Sequence, residues 1–296
     1  MKDCPVVALI PVGPDADPKF LADTVDSVLH YASVPTAVLL LDNGRKGVPD
    51  QVALGRPGVA VVASRGLSGK SGRLYLNLAG AIEHLLDTST CDLILRLDDD
   101  GLVIGRGGDL AAMRYFEKNP EVAIAGSHHV DCMGKSRGFT APARRLTYLA
   151  TVGRVTVPEA SRTVRKLMRA ARSNGYVLGE HCLGGFYLWN ARAIRDIRAR
   201  VGLAHDSLMD AGLEEDHIFS LIARAASYRL GDLASGDHPV GAAWRGLPAA
   251  PARLLEMNKK FIHSVRSGPP GAPAMDEAEI RRFFAAQRVE EFAIAD

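Results

Sequence analysis

Residues 93–100 read Leu-Ile-Leu-Arg-Leu-Asp-Asp-Asp, a short apolar run that ends in three consecutive carboxylates, Asp98, Asp99 and Asp100. Adjacent acids repel one another and resist burial unless a cation neutralises them. Clustered carboxylate oxygens are hard ligands, suited to Mg²⁺ or Mn²⁺ bound together with a phosphate group. Alternation along an extended strand points Asp98 and Asp100 to one side and Asp99 to the other. Three acids in a row still leave open which two would bind, and a solvated acidic turn is the bland alternative. A second acidic concentration, Glu214-Glu215-Asp216, precedes a run with Ile218, Leu221, Ile222 and Ala225 at helical spacing. On their own, acids at that place read as complementing the positive end of a helix. His128 and His129, beside Asp131 and Cys132, have ligand-type side chains, but their loop context reads as a solvated turn.

The elements that would carry these residues alternate. Val6 to Val12 is a buried-strand pattern, followed by Phe20, Leu21, Val25, Val28 and Leu29 at helical spacing. A second strand pattern runs from Ala37 to Leu41 and ends in Asp42-Asn43-Gly44, a turn signal. A third, Val59 to Ala63, is followed by a glycine- and serine-rich loop and a helical face of Leu74, Leu78, Ala81, Ile82 and Leu85. The acidic strand comes next. A β-α-β-α order predicts a mostly parallel sheet with helices on both faces, and open sheets of that kind bind ligands at the carboxyl ends of their strands.

Farther on, Leu110, Met113 and Phe116 mark a helix and Val122 to Ala125 a short strand, whereas residues 128–158 show little periodicity. Ser161 is placed to cap a helix through Arg172 that carries Arg162, Arg165, Lys166, Arg169 and Arg172, read as a solvated basic face. Gly184-Gly185 feeds a strand at 186–190, with a helix after it from Ala191 to Val201. Residues 267–274 read as a Pro/Gly linker, and Asp276 with Glu279 forms a capping-box pattern before a helix that buries Ile280, Phe283 and Phe284.

Composition narrows the classes. The 296 residues are 47% hydrophobic and 24% charged, enough for a substantial core, and a net charge of +2 gives no general attraction to nucleic acid or membrane. No apolar run approaches the roughly 18 residues of a membrane span, and the N-terminus lacks a signal-peptide layout. A soluble, cytoplasmic protein is the expectation. Cys4, Cys91, Cys132 and Cys182 are widely spaced with no C-x-x-C pair, so they read as reduced and structural.

Taken in order, ALIPVG, LLLDNG, Gly72-Arg73 with Asn77, LDDD followed by GDLAAMRYFEKNPEVAIAGS, GGFYLWNARAI and the EED before a helix resemble a GT-A-fold glycosyltransferase of the family 2 type, over roughly residues 5–240. The resemblance implies a GT-A nucleotide-diphospho-sugar transferase fold, Rossmann-like, with a nucleotide-binding half over 1–127 and an acceptor-side half over 128–264. A linker at 265–275 and a C-terminal helix at 276–296 would follow. It implies a nucleoside diphosphate sugar donor, UDP-sugar favoured, with base and ribose held by Val12, Gly13, Asp15 and Asp42. Arg73 matches a position near the diphosphate, with Asn77 one helical turn on. Asp98 and Asp100 match the DxD pair that holds Mn²⁺ or Mg²⁺, with Asp99 between them. Asp216 matches the general base of inverting members, and Glu215 is the alternative for that role or for orienting the acceptor. His238 matches a late histidine that adds a metal ligand.

One departure from the family bears on the acceptor. The Q-x-x-R-W signature of processive synthases is missing, and Ala243-Trp244-Arg245 only echoes it. A single sugar transfer to a hydroxyl or amine of a small or soluble acceptor is therefore expected. Trp189 and Trp244 are candidates to stack on a sugar ring, although packing is the commoner fate of tryptophan.

Three other classes compete. Residues 64–71 match a P-loop, G-x-x-x-x-G-K-S, except that Ser64 replaces the first glycine. An NTPase or kinase using Lys70 and Ser71 is thus the strongest rival, weakened by the missing glycine and by the motif's place after the third strand. A sugar nucleotidyltransferase would carry a glycine-rich basic signature after the first strand, which Pro11-Val12-Gly13-Pro14-Asp15 lacks. A protein that binds a nucleotide sugar without transferring it is the third.

Overall fold

A computed structural model describes residues 4–44, 47–66, 71–271 and 273–295. The elements run β1 (Val6–Val12), α1 (Pro18–Tyr31), β2 (Thr36–Asp42), α2 (Val48–Ala53), β3 (Val59–Ala63), α3 (Gly72–Thr88), β4 (Leu93–Leu97), β5 (Gly101–Val103), α4 (Gly108–Lys118) and β6 (Val122–Gly126). They continue with α5 (Thr140–Ala150), α6 (Gly153–Thr156), α7 (Pro158–Ser173), β7 (Phe186–Asn190), α8 (Ala191–Arg200), α9 (Glu215–Ala225), β8 (Arg229–Asp232), β9 (Val240–Ala242), α10 (Pro251–Glu256), β10 (Phe261–His263) and α11 (Glu277–Ala295).

The main sheet has the order β3-β2-β1-β4-β7-β6-β8. Neighbours are parallel except β7, which runs antiparallel to both β4 and β6. This is the mixed α/β architecture with a mostly parallel sheet that the strand and helix alternation predicts. Strand β1 is buried along its whole length, as an unbroken apolar run must be when both sheet faces are covered. One core packs α3, α7, α8 and α9 on one face through residues such as Tyr75, Ile82, Leu167 and Phe219. The other packs α1 and α4 through Leu21, Val25, Val28 and Phe116.

Local chemistry explains several element ends. Asp17 accepts a hydrogen bond from the Lys19 N–H at 2.7 Å and caps α1, with Pro18 at its first position. Asn190 caps α8 by accepting from the Arg192 and Ala193 N–H groups. Asp276 and Glu279 exchange the two hydrogen bonds of the expected capping box, at 2.8 and 3.0 Å, and open α11. That helix buries Ile280 and Phe284, while Phe283 is only half-buried.

Three features depart from expectation. Residues 128–158 are not wholly irregular: α5 lies within them and buries Leu146 and Leu149. Ser161 does not cap a helix; it is buried inside α7, which starts at Pro158. Arg162, Arg165, Lys166, Arg169 and Arg172 are exposed on that helix, as a solvated face should be. The third departure is a small second sheet, β5-β10-β9, in which β10 pairs antiparallel with β5 and parallel with β9. It brings residues near position 263 onto the chain just past the acids. All four cysteines are free. Among the described residues, no helix is long and apolar enough to cross a membrane.

Candidate active site

The site forms where β1, β2 and β4 end and β7 begins. Because β7 is antiparallel to β4, its entry residues Gly184 and Gly185 meet the exit of β4, and the Asp98 N–H donates to the Gly185 carbonyl at 2.8 Å. The turn at 98–100 leads into β5, whose pairing with β10 places His263 opposite Gly101. His263 Nε2 lies 3.1 Å from Asp100 Oδ1 and 3.6 Å from Asp98 Oδ2. One ligand atom from each of Asp98, Asp100 and His263 falls within 4.8 Å of the others. The two outer aspartates converge on one histidine through the turn at 98–100 and not through strand alternation, since β4 ends at Leu97, while Asp99 between them lies 3.7 Å from Arg266.

Two carboxylates and an imidazole are a fitting donor set for Mn²⁺ or a similar ion. The surrounding charges support the same reading. Burial alone would raise the Asp100 carboxyl, but His263, the Ser264 hydroxyl at 2.6 Å and the Arg266 guanidinium at 2.8 Å hold it far below the usual range. Burial would likewise lower His263, but its contacts with Asp100 and Asp98 push it up to about 10. Without an ion, an imidazolium supplies the positive charge that these acids require. Asp99 is pushed up to about 6 by burial, then by Asp98 and Asp100, against Arg266 and the Gly13 backbone.

Arg96 explains how a charge fits inside an apolar strand. It is 1% exposed and bridges Asp98 Oδ1 at 2.8 Å and Glu215 Oε1 at 2.9 Å. Burial acts against its charge, but the Asp98 and Glu215 carboxylates more than reverse that and hold the guanidinium above its usual range. Burial pushes Glu215 up to about 8, with Arg96 opposing and Asp216 adding to the rise. Asp216, in the first turn of α9, accepts from the Gly184 N–H at 2.8 Å and from the His217 N–H at 2.8 Å. His181 Nε2 is 3.9 Å away from it. Burial lowers that imidazole to about 4 against the pull of Asp216, with His217 and Arg137 adding to the fall, so His181 is neutral.

The other expected residues are distributed as follows. Val12 is buried at the end of β1, Gly13 follows it, and Asp15 is exposed in the next loop. Asp42 accepts from the Gly44 N–H at 3.0 Å, the turn role that its Asp-Asn-Gly context offered. Asn77 is buried and its Nδ2 donates to Asn43 Oδ1 at 2.9 Å, tying α3 to that turn. Arg73 is half-exposed, 3.8 Å from Asp210. Trp189 is in the core, whereas Trp244 is 73% exposed with Arg245 stacked on it.

One expected ligand is corrected. His238 is exposed in the loop before β9, and its ring faces Tyr115. It belongs to none of the ligand clusters among the described residues. The late histidine beside the acids is His263. Its place depends on the three-residue strands β5 and β10, too short to leave a periodic signal; a lone histidine ending Phe261-Ile262-His263 was the only trace. The rival P-loop falls partly outside the described residues, Lys70 included, while the Ser71 hydroxyl donates to Glu214 Oε1 at 2.9 Å.

Gly185 is required by this packing. Its φ is +85°, and a Cβ there would lie 2.1–2.4 Å from three atoms of the His263 ring. Gly185→Ala is expected to displace His263, lower stability and weaken Mn²⁺ binding. Calorimetric titration with Mn²⁺ checks this; unchanged affinity would mean that His263 is not a ligand.

No family model matches the chain. A search of curated proteins likewise finds no match. Similar solved structures include a mannosyltransferase of Pyrobaculum calidifontis in complex with GDP-Man and Mn²⁺, 17% identical over 77% of this chain with a TM-score of 0.46. This chain spans about half of that protein, 54%. A glucosyl-3-phosphoglycerate synthase of Mycobacterium tuberculosis in complex with Mn²⁺ and UDP is 12% identical, covering 79% of this chain and 71% of its own, with a TM-score of 0.43. The galactosyltransferase LgtC is 10% identical over 95% of both chains, with a TM-score of 0.47. At these identities and TM-scores the likenesses lend nothing to the assignment of the site, which rests on the chain's own residues.

Proposed function

We propose that the protein is a metal-dependent glycosyltransferase that moves a single sugar from a nucleoside diphosphate donor, UDP-sugar favoured, to a hydroxyl or amine of a small or soluble acceptor. The observation that carries the reading is the Gly184-Gly185 step. Its first N–H holds the Asp216 carboxylate at 2.8 Å, its second carbonyl accepts from Asp98, and its second Cα packs against His263. A group suited to a diphosphate-bound cation and a carboxylate suited to proton removal are thus both anchored on one Gly-Gly pair.

Asp98, Asp100 and His263 would hold Mn²⁺ or Mg²⁺, which when bound neutralises the charge of the departing diphosphate. Val12, Gly13, Asp15 and Asp42 line the ends of β1 and β2, where a nucleoside would lie against the strand termini. Arg266, in contact with Asp100 and 3.7 Å from Asp99, adds a mobile-length cation beside the phosphates. Arg73 is the further candidate for a phosphate contact. Asp216 would accept the acceptor's proton as its oxygen attacks the anomeric carbon, inverting that centre through an oxocarbenium-like transition state. Glu215, locked to Arg96, positions the strand and helix rather than taking the proton. A single β4–β7 crossing therefore holds donor-side and acceptor-side groups in fixed relation.

Thermal unfolding with UDP or GDP tests this. Stabilisation is expected only with Mn²⁺ or Mg²⁺ present and is abolished by EDTA; saturation at 100 times Kd corresponds to about 2.7 kcal/mol. Stabilisation by ATP that is lost in Lys70→Ala would instead support the P-loop alternative.

A further inference from the structure

A second set of ligating side chains lies at the other margin of the sheet, beside the edge strand β8. His128 and His129 follow β6, and Glu180 stands across from them on the segment after α7. A ligand atom from each of the three lies within 4.8 Å of the others. His128 is not in the solvated turn that its sequence context implied: it is 4% exposed, and Glu180 is 5% exposed. His129 is exposed and stacks on His128 with ring centroids 3.9 Å apart.

The geometry at His128 is informative. Its Nε2 is buried with no hydrogen-bond partner, and the nearest carboxylate oxygen, Glu180 Oε2, is 3.4 Å away. That separation is long for an N–H···O bond. It equals the edge of a tetrahedron around an ion with ligands at about 2.0–2.1 Å, roughly 3.4 Å. The other oxygen, Glu180 Oε1, is held by Arg224 Nε at 2.8 Å and by the Val177 N–H at 3.2 Å. That ion pair and that backbone hydrogen bond fix the orientation of the carboxylate, as outer contacts of a ligating group do. The three groups line a cavity of about 400 Å³ that also touches Tyr115, Asn119 and Arg229.

We propose that His128, His129 and Glu180 form a second metal site, separate from the Asp98–Asp100–His263 cluster, that takes a Zn²⁺-type ion with its fourth position open to this cavity. Two imidazoles and one carboxylate favour such an ion over Mg²⁺. An ion there ties the 127–137 loop to Glu180. Arg137 in that loop donates to the His181 carbonyl at 2.9 Å, so the tie braces the wall beside Asp216.

Zn²⁺ and Co²⁺ titrations of the EDTA-stripped full chain test the site. The expected result is a tetrahedral Co²⁺ absorption spectrum. Zn²⁺ affinity for one equivalent should fall at least roughly tenfold in His129→Gln, with Mn²⁺-dependent nucleotide stabilisation unchanged. His129 is exposed, so this variant should fold, and circular dichroism verifies that. Glu180→Gln should show the same loss. Equal Zn²⁺ stoichiometry and affinity in the native chain and in His129→Gln would overturn the proposal.

Discussion

Asp216→Asn is expected to lower the rate of sugar transfer by about 10²–10⁴-fold, the usual contribution of a positioned general base. Metal-dependent binding of the nucleoside diphosphate should survive, because Asp216 belongs to a different side-chain cluster from Asp98, Asp100 and His263. The contrast with Glu215 makes the test specific. Asp216 is anchored by two backbone N–H groups, one of them from Gly184. Glu215 is committed to Arg96 and pushed up to about 8 by burial. Glu215→Gln should therefore affect stability more than chemistry. Single-turnover rates with the two variants separate the roles; normal transfer by Asp216→Asn would exclude it as the base. A product of retained anomeric configuration, read by NMR, would exclude the inverting course.

The second large effect is on folding. Arg96→Met should destabilise the chain by about 3–5 kcal/mol, the range for breaking a buried ion pair by removing one partner. Asp98 and Glu215 would then face each other without the guanidinium between them. The loss should depend on pH. Glu215 has a folded pKa raised above its unfolded value, so its favourable contribution is complete below about 4.5 and is lost as pH rises through about 8. Removing Arg96 raises the folded value further, so over pH 5 to about 10 the Glu215 part of the deficit should stay level up to about 7 and grow as pH rises through about 8. Above about pH 8, Glu215→Gln added to Arg96→Met should recover part of the stability by removing the unpaired charge. Urea unfolding across that pH range measures both; a deficit of under about 1 kcal/mol, typical of exposed pairs, would contradict the account.

How far the sequence alone carried these conclusions varies by element. Strands β1, β2 and β4 were legible because a buried parallel strand is an apolar run with a sharp polar end, and LILRLDDD shows both. Arg96 inside that run was a signal as well, since a charge there demands a buried partner. The partner, Glu215, is 119 positions away, and nothing local identifies it. The antiparallel direction of β7 was equally hidden, because a long helical excursion separates it from β6. His263 was missed for a related reason. It reaches the acids only through pairing of two three-residue strands about 160 positions apart, whereas His238 drew attention by lying nearer the expected last strand. Helix α5 was obscured by a polar, proline-containing start, Thr140-Ala141-Pro142, although Leu146 and Leu149 have helical spacing. His128 looked like a loop residue because Glu180, which packs against it, is distant in sequence.

The most direct test of the central claim is anomalous diffraction from crystals soaked with Mn²⁺ and UDP. A strong peak between the Asp98 and Asp100 carboxylates and His263 Nε2, with diphosphate oxygens completing its coordination, is the expected result. No peak there, with the Asp98–Asp100–His263 cluster still closed on itself and nucleotide bound at another surface, would contradict it.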